Sequence, residues 1–124
     1  MSISCCMIVK NEEQYIEQAL QSLQGLVDEI IIVDTGSKDE TKAIAKKYTD
    51  KIFSHPWNNN FSDARNISLQ QATKDWILVL DADEVISPRD HERIKKLVTS
   101  ENYDAYSLVQ VSYTNDQTML GYMV

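Results

Sequence analysis

The stretch WILVLDADEV, residues 76–85, decides the fold. Its first five residues form a continuous apolar run, and Asp81, Asp83 and Glu84 stand where that run ends. Continuous rather than alternating apolar strands mark a sheet covered on both faces, as in parallel α/β proteins. A second stretch, EIIIVD (29–34), repeats the grammar: a β-branched run that ends on an aspartate. Both are read as central strands. Clustered carboxylates repel one another and raise each other's proton affinity, so two such endings call for a chemical reason.

Working outward, five strands are expected, at Ile3–Val9, Glu29–Val33, Lys51–Ser54, Trp76–Leu80 and Ala105–Ser112. Helices fill the intervals. Ile16, Leu20 and Leu23 form an apolar stripe on the first, and Thr41, Ile44, Ala45 and Tyr48 on the second. The third, Ser62 to about Ala72, has a weaker stripe of Ala64, Ile67 and Ala72, and the fourth carries Ile94, Leu97 and Val98. Capping boxes are expected from Asn11 with Gln14 and from Ser37 with Glu40, with Ser62 and Ser87-Pro88 opening the later helices. Strand–helix alternation gives an α/β fold: a doubly wound, mainly parallel, Rossmann-like sheet with helices on both faces. With strand order 3-2-1-4, Lys10, Asn11, Asp34, Thr35, Gly36 and the segment Asp81 to Glu84 gather along one carboxyl edge, where such sheets bind ligands.

Composition narrows the function. The chain has 124 residues and a formal net charge of −7, which disfavours nucleic acid and anionic lipid as partners. The length suits one domain, and no apolar run is long enough to span a membrane. No signal peptide is recognisable, so a cytoplasmic location is expected. Cys5 and Cys6 are adjacent on a strand and should face opposite ways as packing residues in a reducing compartment. A phosphate ligand on so acidic a surface needs a bridging cation. Asp81-Ala82-Asp83 supplies the oxygen ligands that Mg²⁺ or Mn²⁺ accept alongside water and phosphate. Without such a ligand the same acids read as a solvated turn.

Asp34, followed by Gly36 and the expected cap Ser37, could accept from a base N–H or a ribose hydroxyl; otherwise it is a turn residue. Arg65 in the first turn of its helix opposes the helix dipole. It either pairs with Asp63 or reaches toward a phosphate or base. His55 and His91 lack partners at ligand spacing and read as structural. Trp57 and Phe61 read as packing anchors of a long connection rather than as a sugar platform.

Four segments, CCMIVKNEE, IIIVDTGSKDET, FSDARNISLQQA and WILVLDADE, together resemble a family 2 glycosyltransferase of GT-A fold, in the family's order and rough spacing. The resemblance implies an enzyme that binds a nucleotide-diphospho-sugar donor, commonly UDP-linked, and transfers the sugar with inversion to an acceptor that the sequence does not specify. By position it implies that Val9 and Glu12 line the nucleotide pocket, that Asp34 contacts the nucleoside and that Arg65 lies near base or phosphates. Asp81 then touches the ribose or the metal shell, and Asp83 binds Mn²⁺ or Mg²⁺ directly. Thr35 stands where many members have a second acid after strand two. The family's domain normally runs on well past this length. Residues 1–124 are therefore read as the nucleotide-sugar-binding portion, with the acceptor-binding portion absent and the general base beyond residue 124. The open edge of a truncated sheet invites pairing with a second copy, a homodimer. Two rivals stand beside this reading. One is a haloacid-dehalogenase-type phosphatase, with Asp81 as nucleophile and Asp83 as acid/base; the other is a non-catalytic nucleotide-binding module.

Overall fold

A computed structural model describes residues 2–99 and the backbone of 109–113 and 119–123. Strand β1 (Ile3–Val9) leads to helix α1 (Ile16–Ser22), then β2 (Glu29–Asp34), α2 (Thr41–Ala45), β3 (Ile52–Ser54) and α3 (Phe61–Gln71). Strand β4 (Trp76–Val79) follows, and a 3-10 turn at Pro88–Asp90 runs into α4 (His91–Thr99). Strands β5 (Val109–Tyr113) and β6 (Met119–Met123) pair antiparallel as a separate hairpin. The part of the fifth expected strand at 105–108 lies outside the described residues.

The first four strands form one parallel sheet in the order β3-β2-β1-β4, the order under which the acids at the ends of β2 and β4 are expected to share an edge. All six residues of β2 are buried, which accounts for its unbroken apolar run. Odd-numbered β1 residues Cys5, Met7 and Val9 pack with Ile16, Ala19, Leu20 and Leu23 of α1 and with Ile30 and Ile32 of β2. A smaller cluster joins Ile3 and Leu26 to Ile94 and Val98 of α4. Leu97, expected on that stripe, is exposed instead. On the opposite face α3 lies along β1 and β2 and buries Ala64 and Ser68. The two cysteines do face opposite ways: Cys5 joins the α1 core, while the Cys6 thiol donates to the Ser68 carbonyl at 3.4 Å.

Strand β4 departs from expectation. It is the edge of this sheet, and Ile77 and Val79 are 42% and 45% exposed while Trp76 and Leu78 turn inward. A run of apolar residues reports affinity for a covered sheet, not which neighbour does the covering.

The expected caps also differ. Helix α1 starts at Ile16 with no side-chain cap. Asn11, in a left-handed conformation (φ 53°), instead accepts from the Lys38 N–H at 2.8 Å. Ser37 accepts from the Asn11 N–H at 2.9 Å, and Asp39 takes up the Thr41 N–H at 3.0 Å. Asn60, rather than Ser62, caps α3 by accepting from the Ser62 N–H at 3.0 Å. Ser87 makes no side-chain cap bond, although Pro88 does open the turn there. The short polar side chains Asn11 and Ser37 are spent on joining two loops, each accepting a backbone N–H of the other loop.

The amino edge of the sheet carries an unexpected polar knot. Glu29, 7% exposed, accepts from Ser4 Oγ at 2.7 Å, from the Thr73 N–H at 2.9 Å and from Thr73 Oγ1 at 2.8 Å. Lys51 pairs with the same carboxylate. This knot ties the exit of α3 to β1, β2 and the entry of β3.

Candidate active site

The parallel register places the ends of β1 and β2 side by side, with Val9 opposite Asp34. A cleft of about 390 Å³ opens there, lined by Ile8, Val9, Lys10, Glu12, Thr35, Trp57, Phe61, Asp81, Ala82 and Asp83. Four of the predicted residues, Val9, Glu12, Asp81 and Asp83, therefore meet in one cavity.

The floor is rigid for identifiable reasons. Thr35 bonds the Val9 carbonyl through both its N–H (3.0 Å) and its hydroxyl (3.2 Å). The Glu12 N–H donates to Thr41 Oγ1 at 2.8 Å, and the Glu40 N–H donates to Glu13 at 3.1 Å. With the Asn11 bonds to Ser37 and Lys38, these contacts brace the loop after β1 against the loop after β2.

The acids crowd one another. Burial, then the charges of Asp83, Asp81 and Asp39, push the Glu12 carboxyl above its usual range. Three carboxyl groups facing one cavity repel one another, a repulsion that a bound cation relieves. Among the described residues, neither the Asp81 nor the Asp83 carboxylate is engaged by a hydrogen bond or ion pair, and both residues are exposed. Nor do three His, Cys, Asp or Glu side chains form a closed metal cage among the described residues. That donor set fits Mg²⁺ or Mn²⁺, which take one or two carboxylates and fill the other positions with water and phosphate oxygens. Glu84 turns back to accept from the Asp81 N–H at 2.9 Å and so shapes the turn.

Asp34 and Arg65 are not among the residues that line the cleft, although each adjoins one that does, Thr35 and Phe61. Asp34 is 1% exposed; its Oδ1 accepts from the Gly36 and Ser37 N–H groups, both at 2.8 Å, while its Oδ2 is buried with no partner among the described residues. Gly36, at φ 121°, supplies a backbone angle that other residues rarely adopt. Arg65 does not pair with Asp63, which accepts instead from Asn58 at 2.9 Å. Its guanidinium lies 5.2 Å from the centre of the Phe61 ring, and Nη1 is buried without a hydrogen-bond partner among the described residues.

His91 acts structurally: its Nε2 lies 2.8 Å from the Ser22 carbonyl and joins α4 to α1. The His55 backbone N–H donates to the Asp34 carbonyl, and its ring Nε2 is buried with no hydrogen-bond partner among the described residues. The expectation that Trp57 and Phe61 are packing anchors is corrected. They are 44% and 51% exposed and line the cleft. Their place around the connection from β3 into α3 was legible in the sequence, but the side facing the cleft was not.

Comparison with known proteins fixes the family. The model for "Glycosyl transferase family 2" matches residues 4–121. The chain belongs to glycosyl transferase family 2. An uncharacterised glycosyltransferase of Rickettsia felis is 35% identical over 119 residues, covering 93% of this chain and 42% of that protein. A TPR repeat-containing protein of Synechococcus elongatus is 49% identical over 82 residues, covering 66% of this chain and 20% of its own length. The chain thus spans well under half of these relatives. Among solved structures, Staphylococcus aureus TarS 1–349 superposes with a TM-score of 0.64 at 28% identity, covering 80% of this chain and 32% of that one. Glucosyl-3-phosphoglycerate synthase from Mycobacterium tuberculosis, crystallised with Mg²⁺ and UDP, gives 0.63 at 28% identity, covering 81% and 40%. The four-stranded parallel sheet is the GT-A, Rossmann-like architecture of these neighbours, and the family match sets the phosphatase reading aside. Among the described residues no helix is long and apolar enough to cross a membrane.

Proposed function

We propose that this chain forms the donor-binding portion of an inverting glycosyltransferase, and that its cleft takes a nucleotide-diphospho-sugar, UDP-linked, together with Mn²⁺ or Mg²⁺. The observation that carries the reading is the convergence of Glu12, Asp81 and Asp83 on one cavity at the carboxyl edge, where their mutual repulsion calls for a cation. A UDP complex of a structural neighbour at 28% identity supports the choice of nucleotide.

In this reading Asp83 binds the ion directly and Asp81 reaches the ribose or the ion's outer shell. Val9 and Glu12 line the nucleotide pocket, Asp34 turns its unpartnered Oδ2 to the nucleoside, and Arg65 lies near base or phosphates. The bound cation supplies Lewis-acid stabilisation of the charge that gathers on the departing diphosphate. In the transfer, the bond between the anomeric carbon and the diphosphate oxygen breaks, its electron pair leaving with the diphosphate. The acceptor oxygen bonds the opposite face of that carbon and gives up its proton to a general base. That base and the acceptor-binding groups belong to sequence beyond residues 1–124; the greater length of the relatives supports this division. A second copy pairing along the β4 edge is the homodimer this reading allows.

Titration of UDP with and without Mn²⁺, on the wild-type chain and on Asp83→Ala, tests the proposal. Metal-dependent UDP binding that Asp83→Ala abolishes is expected. Equal binding by the variant removes Asp83 from the site, and binding without any turnover in the full-length protein favours a nucleotide-binding module.

A further inference from the structure

We propose that Trp57 and Phe61 form a stacking platform for the base of the bound nucleotide, an inference that rests on the donor-binding reading above. Two large aromatic side chains are left about half exposed on the wall of a cleft, where burial elsewhere would be favourable. Both are nonetheless held in place. The Trp57 N–H donates to the Thr35 carbonyl at 3.2 Å, and its indole N–H donates to Asn59 at 3.1 Å. Asn59 adopts a left-handed backbone (φ 62°), an uncommon conformation for a residue other than glycine. Phe61 meets Trp57 edge-on at 6.3 Å and 67°, and the Arg65 guanidinium lies 5.2 Å from its ring centre. A base can stack on the exposed face of one ring while the other, set at 67° to it, closes the side, and rings already held in place lose little freedom when it does.

Topology gives the platform its ligand. The acids that would hold the ion and the diphosphate follow β4, whereas Trp57 follows β3 and is bonded to the end of β2. Two to three strand spacings separate those ends, about 10–14 Å across the sheet. A nucleoside diphosphate anchored by its phosphates at the acidic end extends its base toward the aromatic end. Stacking contacts the π-face and leaves the edge of the base to be read by other groups.

The test compares UDP with inorganic pyrophosphate, each with Mn²⁺, on the wild-type chain and on Trp57→Ala, Phe61→Ala and Trp57→Phe. Calorimetry should show UDP weakened by about fivefold to a hundredfold in the alanine variants. Pyrophosphate affinity should be unchanged, and Trp57→Phe should recover most of the loss. UDP should also quench the wild-type tryptophan fluorescence, with the quench lost in Trp57→Ala, which keeps only Trp76. Wild-type UDP affinity in both alanine variants overturns the platform alone, as does an equal loss for pyrophosphate. A wild-type chain that binds Mn²⁺–pyrophosphate but no UDP overturns the donor reading and the platform with it.

Discussion

Replacing Glu29 by Gln should destabilise the chain strongly, and in a pH-dependent way. Burial alone would raise the Glu29 pKa, but the bonds from Lys51, Ser4 and Thr73 outweigh it and bring the carboxyl from 4.5 down to about 2. At 1.36 kcal/mol for each tenfold change in proton affinity, the depression is worth about 3 kcal/mol. Glutamine keeps one acceptor for Ser4 and the Thr73 N–H, but it sets an amide donor against the Lys51 ammonium and the Thr73 hydroxyl. The sign follows from a lowered carboxylate pKa: the stabilisation is complete above about pH 5 and is lost as the pH falls through about 2. The gap between wild type and Glu29→Gln should therefore be widest at pH 7 and close toward pH 2. Because the Lys51 side chain is 47% exposed, added salt should screen its share, whereas the bonds from Ser4 and Thr73 persist. Urea unfolding followed by far-ultraviolet circular dichroism at pH 7, 4 and 2.5 measures the gap. A difference below about 1 kcal/mol at pH 7, the worth of an ordinary exposed pair, would refute the reasoning. So would a difference that does not change with pH.

Two other outcomes are expected. Asp34→Asn, with its amide oxygen in place of Oδ1, keeps the bonds from Gly36 and Ser37 but turns the unpartnered Oδ2 into a donor; UDP affinity should fall about tenfold or more, at about 1.4 kcal/mol per decade, with thermal stability little changed. Intact affinity in that variant removes Asp34 from the nucleoside. Light scattering tests the β4 pairing: a dimeric mass that Val79→Lys returns to monomer supports it, and a monomeric wild type removes it.

The sequence was legible where one physical cause dominates. EIIIVD reads as a buried strand because six consecutive residues are buried, and the strand–helix alternation reads as a parallel sheet because each strand needs a crossover to reach the next. It was less legible where a residue has several uses of similar energy. Asn11 and Ser37 look like local caps, yet they bond each other's loops, and either use satisfies a backbone N–H with one hydrogen bond of ordinary worth. WILV reads as a covered strand, but its apolar content cannot name the neighbour on its free side. At the site, Asp81 and Asp83 were visible because acids ending an apolar run are costly. Trp57 and Phe61 were misread because aromatic residues favour burial and exposure by different geometries that composition does not separate. The Glu29 knot went unseen, since its partners at positions 4, 51 and 73 meet only once the sheet has formed.

Helix α3 is a beam pinned at its far end. Eleven residues at 1.5 Å each make it about 16 Å long, with Thr73 moored to Glu29 just past one end and Phe61 opening the other. The Glu29 mooring, at the opposite edge of the sheet, is thus joined through one helix to a residue of the cleft wall, so a substitution there reports whether that wall depends on a remote fastening.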